Sequence, residues 1–470
     1  MKIALCASEV VPFAKTGGLA DVCGALPLEL EDLGHEVIII MPKYQSVRPS
    51  GALIKRFNED FDVTAIGEKA CVYFLKHDMY LRAGLYGDEY GDYPDNLKRF
   101  SYFCSKALEL FGKIDFKPDI LHCNDWQTAL IPMFTKIYKE RYFPKGTKVP
   151  KSLLTIHNVS YQGLFPREAM PETGLGWEHF SLFGLEFYDK LNLLKGGIQY
   201  ADIVNTVSVT HAREIQTKEF GCGMEGVLSA KKDKFLGITN GIDYKVWNPQ
   251  GDPNIFKNYS SDNIEERAIN KLKLQALCGL VSGEKVPLFG FVGRLVEQKG
   301  IDLILKVLPK LCAVGAQAIF LGKGEPKYEA ALLEMVKAYP GLCFFSSKFD
   351  DILAHRIYAA SDFFLMPSAF EPCGIGQMIS FKYGAVPIVY KTGGLADTVI
   401  DYDLKSHKGN GFVFTKHTVP EFELACMRAL ECFANAKKLF ELKKRIMRLN
   451  FSWKESAKKY VELYEKAIKA

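Results

Sequence analysis

Two stretches of the chain repeat the same residues, Lys15-Thr16-Gly17-Gly18-Leu19-Ala20-Asp21 and Lys391-Thr392-Gly393-Gly394-Leu395-Ala396-Asp397. Paired glycines between a strand and a helix let backbone approach a bulky anion, and the free N–H groups opening the helix favour phosphate. The lysine just ahead adds a mobile cation. Turn chemistry alone is the plainer reading of such a pair. Two further cations stand close together, Arg294 in Phe291-Val292-Gly293-Arg294-Leu295 and Lys299 in Gln298-Lys299-Gly300. Together they suit a departing diphosphate, whose growing charge must be stabilised.

The segment Ser368-Ala369-Phe370-Glu371-Pro372-Cys373-Gly374-Ile375-Gly376-Gln377 combines an acid, a proline and two glycines. Pro372 is expected in the first turn of a helix, so that the amides of Gly374 to Gln377 face an anion. Glu371 would then stand beside that anion, accepting hydrogen bonds from a sugar or balancing positive charge. Cys373 reads as a packing residue, because no histidine lies near it in sequence to activate a thiolate. Asp125, the pair His157-Asn158, and Asn240 with Asp243 fall just past predicted strands. Each alone reads as a cap or turn residue; their common location marks a ligand edge. There is no H-x-x-x-H, C-x-x-C or EF-hand pattern, so no metal site is expected. A Walker loop is absent, as is a G-x-G-x-x-G after the first strand, which speaks against kinase and dehydrogenase chemistry.

The elements that must position these residues follow a regular pattern. Apolar runs at Ile3–Cys6, Val37–Met41, Ile120–Cys123, Leu153–Ile156 and Ile203–Val207 read as parallel strands, with a helix from Leu19 to Leu33. Leu53 to Tyr86 reads as an antiparallel ribbon at the sheet edge. A stretch rich in turn formers from Trp247 to Ser261 suggests a domain boundary. A second series follows at Leu288–Val292, Ala318–Leu321, Cys343–Phe345, Phe363–Met366, Val386–Val389 and Gly411–Phe414. The fold class is therefore α/β, with two doubly wound Rossmann-like domains, 1–246 and 247–452, facing a deep cleft. The terminal helix 453–470 is expected to pack back on the first domain. Such sheets bind ligands beyond the carboxyl ends of their strands.

At 470 residues, 48% apolar and 24% charged, the chain has the make-up of a soluble globular protein of two or three domains. A net charge of +5, with the lysines of 437–469 at helical spacing, implies a solvated face and no nucleic-acid partner. Twelve scattered cysteines imply buried reduced thiols and a cytoplasmic location. No apolar stretch reaches the ~18 residues of a membrane span, so neither export nor membrane insertion is expected.

These motifs resemble the bacterial glycogen synthases and plant starch synthases, retaining glycosyltransferases of GT-B architecture. The matching segments are Lys15 to Asp21, Tyr93-Pro94-Asp95-Asn96, His122 to Gln127, Thr155 to Asn158, Asn240 to Asp243 with Trp247-Asn248-Pro249, Val292 to Leu295 with Gln298-Lys299-Gly300, Glu371 to Gly374, and Lys391 to Val399. They run in family order through nearly the whole chain. The resemblance implies transfer of glucose from ADP-glucose to the 4-hydroxyl of an α-1,4-glucan, with no cofactor and no metal. It implies that Lys15, with Gly17 and Gly18, Arg294 and Lys299 meet the diphosphate. By the same likeness Asp21, Asp125, His157, Asn240 and Glu371 line the glucosyl and acceptor side, and Tyr93 lies near the base. Cys373, Gly374, Ile375 and Gly376 would bring backbone to the glucose and phosphates, with Thr392 in the pocket wall. The alternatives are a related enzyme using a small sugar or sugar-phosphate acceptor, and a silent glucan-binding protein. Two positions depart from the family pattern. Gly376 stands where a threonine or serine is usual, which implies weaker donor binding, and Lys391 replaces an arginine, keeping charge but losing the bidentate fork.

Overall fold

Strands covered on both faces read as near-continuous apolar runs, and the runs above form the middle of two sheets. The structure is a computed structural model describing residues 1–47, 54–68, 70–348 and 350–469. It divides into two units, one of Met1–Gly241 with Trp453–Ala470, the other of Ile242–Ser452.

The first unit holds a nine-stranded sheet. Phe235–Gly237, Ile203–Thr206, Lys151–Ile156, Ile120–Asn124, Lys2–Cys6, Glu36–Pro42 and Cys71–Leu75 lie side by side in parallel. Phe61–Ala65 and then Lys55–Arg56 complete the edge antiparallel. The expected ribbon therefore joins the sheet through a parallel strand, Cys71–Leu75; its expected start at Leu53 lies outside the described residues. Because the chain begins at the central strand Lys2–Cys6 and winds outward both ways, the strand order reverses between Lys2–Cys6 and Ile120–Asn124. That crevice is the topological switch point, where open α/β sheets bind ligands.

The helix Trp453–Lys469 belongs to this unit. Its Trp453, Ala457, Tyr460, Tyr464 and Ala467 recur at helical spacing and bury against Ile3, Val22, Leu26 and Leu153. Under the sheet, His122 bridges Tyr464 Oη (2.8 Å) and Thr155 Oγ1 (2.7 Å), and Thr155 donates to Asn205 Oδ1 (2.6 Å). Every partner in this buried chain is satisfied, which fixes the helix in one register.

The second unit is a six-stranded parallel sheet in the order Cys343–Ser346, Gln317–Leu321, Leu288–Val292, Phe363–Met366, Val386–Tyr390, Phe412–Phe414. Its switch point lies between Leu288–Val292 and Phe363–Met366. The turn-rich stretch expected as a boundary is packed into this unit. Trp247 stacks on His355 at 4.0 Å, and Asp252 accepts hydrogen bonds from Tyr383 (2.5 Å) and His355 (2.6 Å). The division falls at Ile242, whose N–H donates to Phe451 (2.8 Å), so the expected edge at 246/247 lies inside the second unit. None of the twelve cysteines, all among the described residues, is in a disulfide, and most are buried. Among the described residues no helix is long and apolar enough to cross a membrane.

Candidate functional site

Each unit carries a polar cluster at its own switch point. In the first, the chain leaves Lys2–Cys6 through Ser8 and Glu9 and enters the helix Gly18–Asp32. The carboxylate of Glu9, 4% exposed, accepts from the N–H of Thr16, Thr16 Oγ1 (2.6 Å), the N–H of Gly17 (3.2 Å) and Tyr86 Oη (2.6 Å). The amides of Thr16 and Gly17, expected to face phosphate, are thus held by an anion of the chain itself. A carboxylate preceding the loop fills the donors first. Sequence reasoning missed Glu9; the signal was an acid immediately beyond the first strand, at its ligand edge.

Lys15 and Asp21 form an exposed ion pair at 2.7 Å. A Cβ on Gly17 would meet nothing within 4 Å, so this loop faces open space. The Tyr93–Asn96 motif grips the backbone of Tyr86: the N–H of Tyr93 (2.9 Å) and Nδ2 of Asn96 (2.8 Å) both donate to its carbonyl. The Tyr93 ring meets two guanidinium groups, Arg82 at 4.7 Å and Arg99 at 5.3 Å from its centroid. Its place is therefore beside the Tyr86–Glu9 contact.

On the other side of this switch point Asp125 follows Ile120–Asn124 with φ 55°, a conformation costly for a side-chain-bearing residue and frequent at functional sites. Its Oδ1 accepts the N–H of His157 at 2.7 Å. Burial, opposed by that hydrogen bond and reinforced by Glu9, pushes the Asp125 carboxyl up to about 7. Burial pushes His157 down to about 3, so its ring is neutral. Asn124 Nδ2 donates to the carbonyl of Cys6, which turns its Oδ1 toward His157 Nε2 at 2.9 Å. His157 accordingly carries its proton on Nε2 and a lone pair on Nδ1, able to accept from a hydroxyl. Asn240, 5% exposed, has a buried Oδ1 with no hydrogen-bond partner among the described residues. An orphaned acceptor of this kind is satisfied when a ligand hydroxyl or amide reaches it.

In the second unit Leu288–Val292 ends at Gly293 and Arg294, and a short turn, Glu297–Lys299, leads into the helix Ile301–Ala313. Gly300 has φ +69°, and a Cβ there would lie 2.1 Å from the carbonyl of Pro367. Only glycine lets the two loops approach so closely. Gln298 fastens them, accepting the N–H of Ala369 (2.8 Å) and donating to the carbonyl of Phe370 (3.0 Å). Lys299 Nζ consequently sits 2.5 Å from Glu371 Oε2, which also accepts from Ser368 Oγ (3.0 Å). Arg294 is exposed and makes no ion pair or side-chain hydrogen bond among the described residues.

The segment after Glu371 corrects one expectation. The helix is Gly376–Lys382, so Pro372 lies in the turn before it, and of Gly374 to Gln377 only Gly376 and Gln377 are helical. Gly374 at φ +71° bends the chain there and delays the helix. Cys373 and Gly374 are buried, Ile375 and Gly376 half-buried. Thr392 is buried, whereas Lys391 is exposed.

Two family models match the chain, the starch synthase catalytic domain over residues 2–230 and the group 1 glycosyl transferases over residues 279–445. It is similar to a glycogen synthase of Geotalea daltonii, with 46% identity over 99% of this chain and 98% of the relative. A glycogen synthase of Thermodesulfovibrio yellowstonii is 41% identical over 100% and 98% of the two chains. Among solved structures, the catalytic domain of starch synthase IV from Arabidopsis thaliana matches with a TM-score of 0.89 and 34% identity, covering 100% of this chain and 99% of that one. Sucrose-phosphate synthase from Thermosynechococcus elongatus shares the fold at 17% identity and a TM-score of 0.60, over 99% and 98%.

Proposed function

Because this chain belongs to the glycogen and starch synthases, glycosyltransferases with the two Rossmann-like domains of the GT-B fold, we propose that it transfers glucose from ADP-glucose to the non-reducing 4-hydroxyl of an α-1,4-glucan with retention of configuration. ADP as leaving group is supported by the Arabidopsis starch synthase, whose structure was solved with ADP and acarbose bound. The observation that carries the chemistry is the Lys299–Glu371 contact at 2.5 Å, at the same carboxyl edge of the sheet as the exposed Arg294, which makes no ion pair or side-chain hydrogen bond among the described residues. Arg294 and Lys299, both past the end of Leu288–Val292, are the cations offered to a diphosphate.

In the proposed reaction the bond from glucose C1 to the β-phosphate oxygen breaks, and ADP leaves with the electron pair. The acceptor 4-oxygen bonds to C1 on the same face, and its proton passes to the departing phosphate. Arg294 and Lys299 stabilise the phosphate charge, and Glu371 balances positive charge developing on the sugar. In the first unit Lys15 adds a cation for the diphosphate. His157 Nδ1 and Asp125 offer acceptors for sugar hydroxyls, and Asn240 Oδ1 a further one. Since side chains supply the cations, turnover is expected to be unaffected by EDTA. The deciding experiment is the initial rate on glycogen with ADP-glucose and with UDP-glucose, together with the length of the product chains. A lengthening glucan made faster from ADP-glucose supports the assignment; a disaccharide or sugar-phosphate product refutes it.

A further inference from the structure

The second unit has a cavity of about 950 Å3 at the amino-terminal ends of its strands, the opposite edge of that sheet from Arg294 and Glu371. Its floor is charged. Asp362, just before Phe363–Met366, receives Lys271 Nζ on Oδ2 and Lys443 Nζ on Oδ1, each at 2.6 Å, and the N–H of Leu288 at 2.9 Å. Arg267 joins them, donating to the carbonyls of Tyr383 (2.9 Å) and Ser361. The side chains of Lys271 and Asp362 are 5% and 4% exposed, that of Lys443 12%.

Three cations therefore stand around a single carboxylate, with Lys271 Nζ also donating to the carbonyl of Glu284 at 2.8 Å. A structural ion pair balances its charges, because an uncompensated buried charge is costly. Burial, with Arg267 and Lys271 adding to it, lowers Lys443 to about 8 despite Asp362. Above the floor the wall is apolar. Phe433 lies 5.0 Å from Lys271 Nζ, and Met427 and Phe440 reach the rim 42% and 39% exposed. Exposed Glu265, Glu284 and Lys285 line the rim, which is therefore acidic on balance and disfavours an extended polyanion. The volume falls within the range of small-molecule sites, which are mostly apolar with a few convergent polar groups.

We infer that this cavity is a second ligand site, remote from the transfer chemistry, for a small amphipathic anion whose acid group meets Lys271, Lys443 and Arg267 while an aromatic or aliphatic body lies on Phe433 and Phe440. The acid is a carboxylate, sulfonate or phosphate monoester.

Fluorescence titration of the whole enzyme with 8-anilinonaphthalene-1-sulfonate tests it. Saturable binding of one equivalent is expected, undisplaced by saturating ADP, and at least tenfold tighter than that of the uncharged N-phenyl-1-naphthylamine. Lys443→Met should weaken the sulfonate at least tenfold. Since that change disturbs a buried network, Ala268→Trp, which thrusts a bulky ring into the cavity and leaves its charges in place, should do the same with transferase activity unchanged. Absence of binding, displacement by ADP, equal affinity for the neutral probe, or unaltered affinity in folded Ala268→Trp would overturn the inference.

Discussion

The N–H of Gly394 donates to the carbonyl of Glu371 at 3.1 Å, and a Cβ on Gly394 would lie 1.9 Å from the carbonyl of Cys373. Gly393, at φ +42°, is equally tight against the carbonyl of Glu371, also at 1.9 Å. The second glycine loop thus shapes the turn that presents Glu371, whereas its twin at Gly17 faces open space. Gly393→Ala, at the position that matches Gly17, must push backbone apart and is expected to cost several kcal/mol, with kcat falling as Glu371 shifts. Gly17→Ala should change stability by no more than about 0.5 kcal/mol, any loss appearing in kcat/KM alone. Urea denaturation beside steady-state kinetics separates the two; equal destabilisation would refute the asymmetry.

Lys299 and Arg294 differ in the same manner. Arg294 is exposed and unpaired among the described residues, so Arg294→Ala should leave the melting temperature unchanged while kcat falls by about two orders of magnitude. Lys299→Ala should match that loss and also destabilise by about 1–3 kcal/mol, since it strips the buried Glu371 carboxylate of its cation. Adding Glu371→Gln to Lys299→Ala should restore most of the stability and none of the activity. A double variant no more stable than Lys299→Ala would show that the contact holds no structural strain of charge.

The sheets were legible because buried parallel strands leave apolar runs, and Asp125, His157 and Arg294 because they stand at strand ends, where such sheets bind ligands. What the repeated heptad does was not, since its role depends on the backbone opposite it, and Cys373 is as invisible from Gly394 in sequence as open space is from Gly17. The packing of Trp247 and Asp252 was hidden for the same reason, their partners His355 and Tyr383 lying about a hundred residues on. Glu9 was within reach, an acid just past the first strand, but its hold on Thr16 and Gly17 requires the three-dimensional turn.

Gly376 stands where relatives are expected to carry a hydroxyl. A Cβ there would lie 3.2 Å from Met366 Sδ, Phe364 Cε1 and Tyr358 Oη, tight enough that neighbours must give by a few tenths of an ångström. Gly376→Ser and Gly376→Ala should therefore both lose about 1 kcal/mol of stability. Only the serine can bond a phosphate, so it alone should lower KM for ADP-glucose, several-fold. If alanine lowers KM as much as serine, the missing hydroxyl is not what weakens the donor site.

Asp125 and His157 act on stability in opposite senses. With its carboxyl raised to about 7 against about 3.9 unfolded, Asp125 keeps a proton in the native state that the unfolded chain has lost. Its contribution is complete below pH ~4 and falls by about 1.4 kcal/mol per unit up to pH 7. His157, at about 3 against about 6.5 unfolded, stays neutral while the unfolded chain is protonated, so its contribution rises by about the same slope between those values. Over roughly pH 4 to 6.5 the two nearly cancel. Asp125→Asn keeps an acceptor for the His157 N–H but removes the titration. Its stability should therefore rise more steeply with pH than that of the wild type across this window and exceed it near pH 7, while kcat drops. Unfolding free energies of both proteins at pH 5, 6 and 7 check this; parallel curves would mean that Asp125 titrates as an ordinary carboxylate.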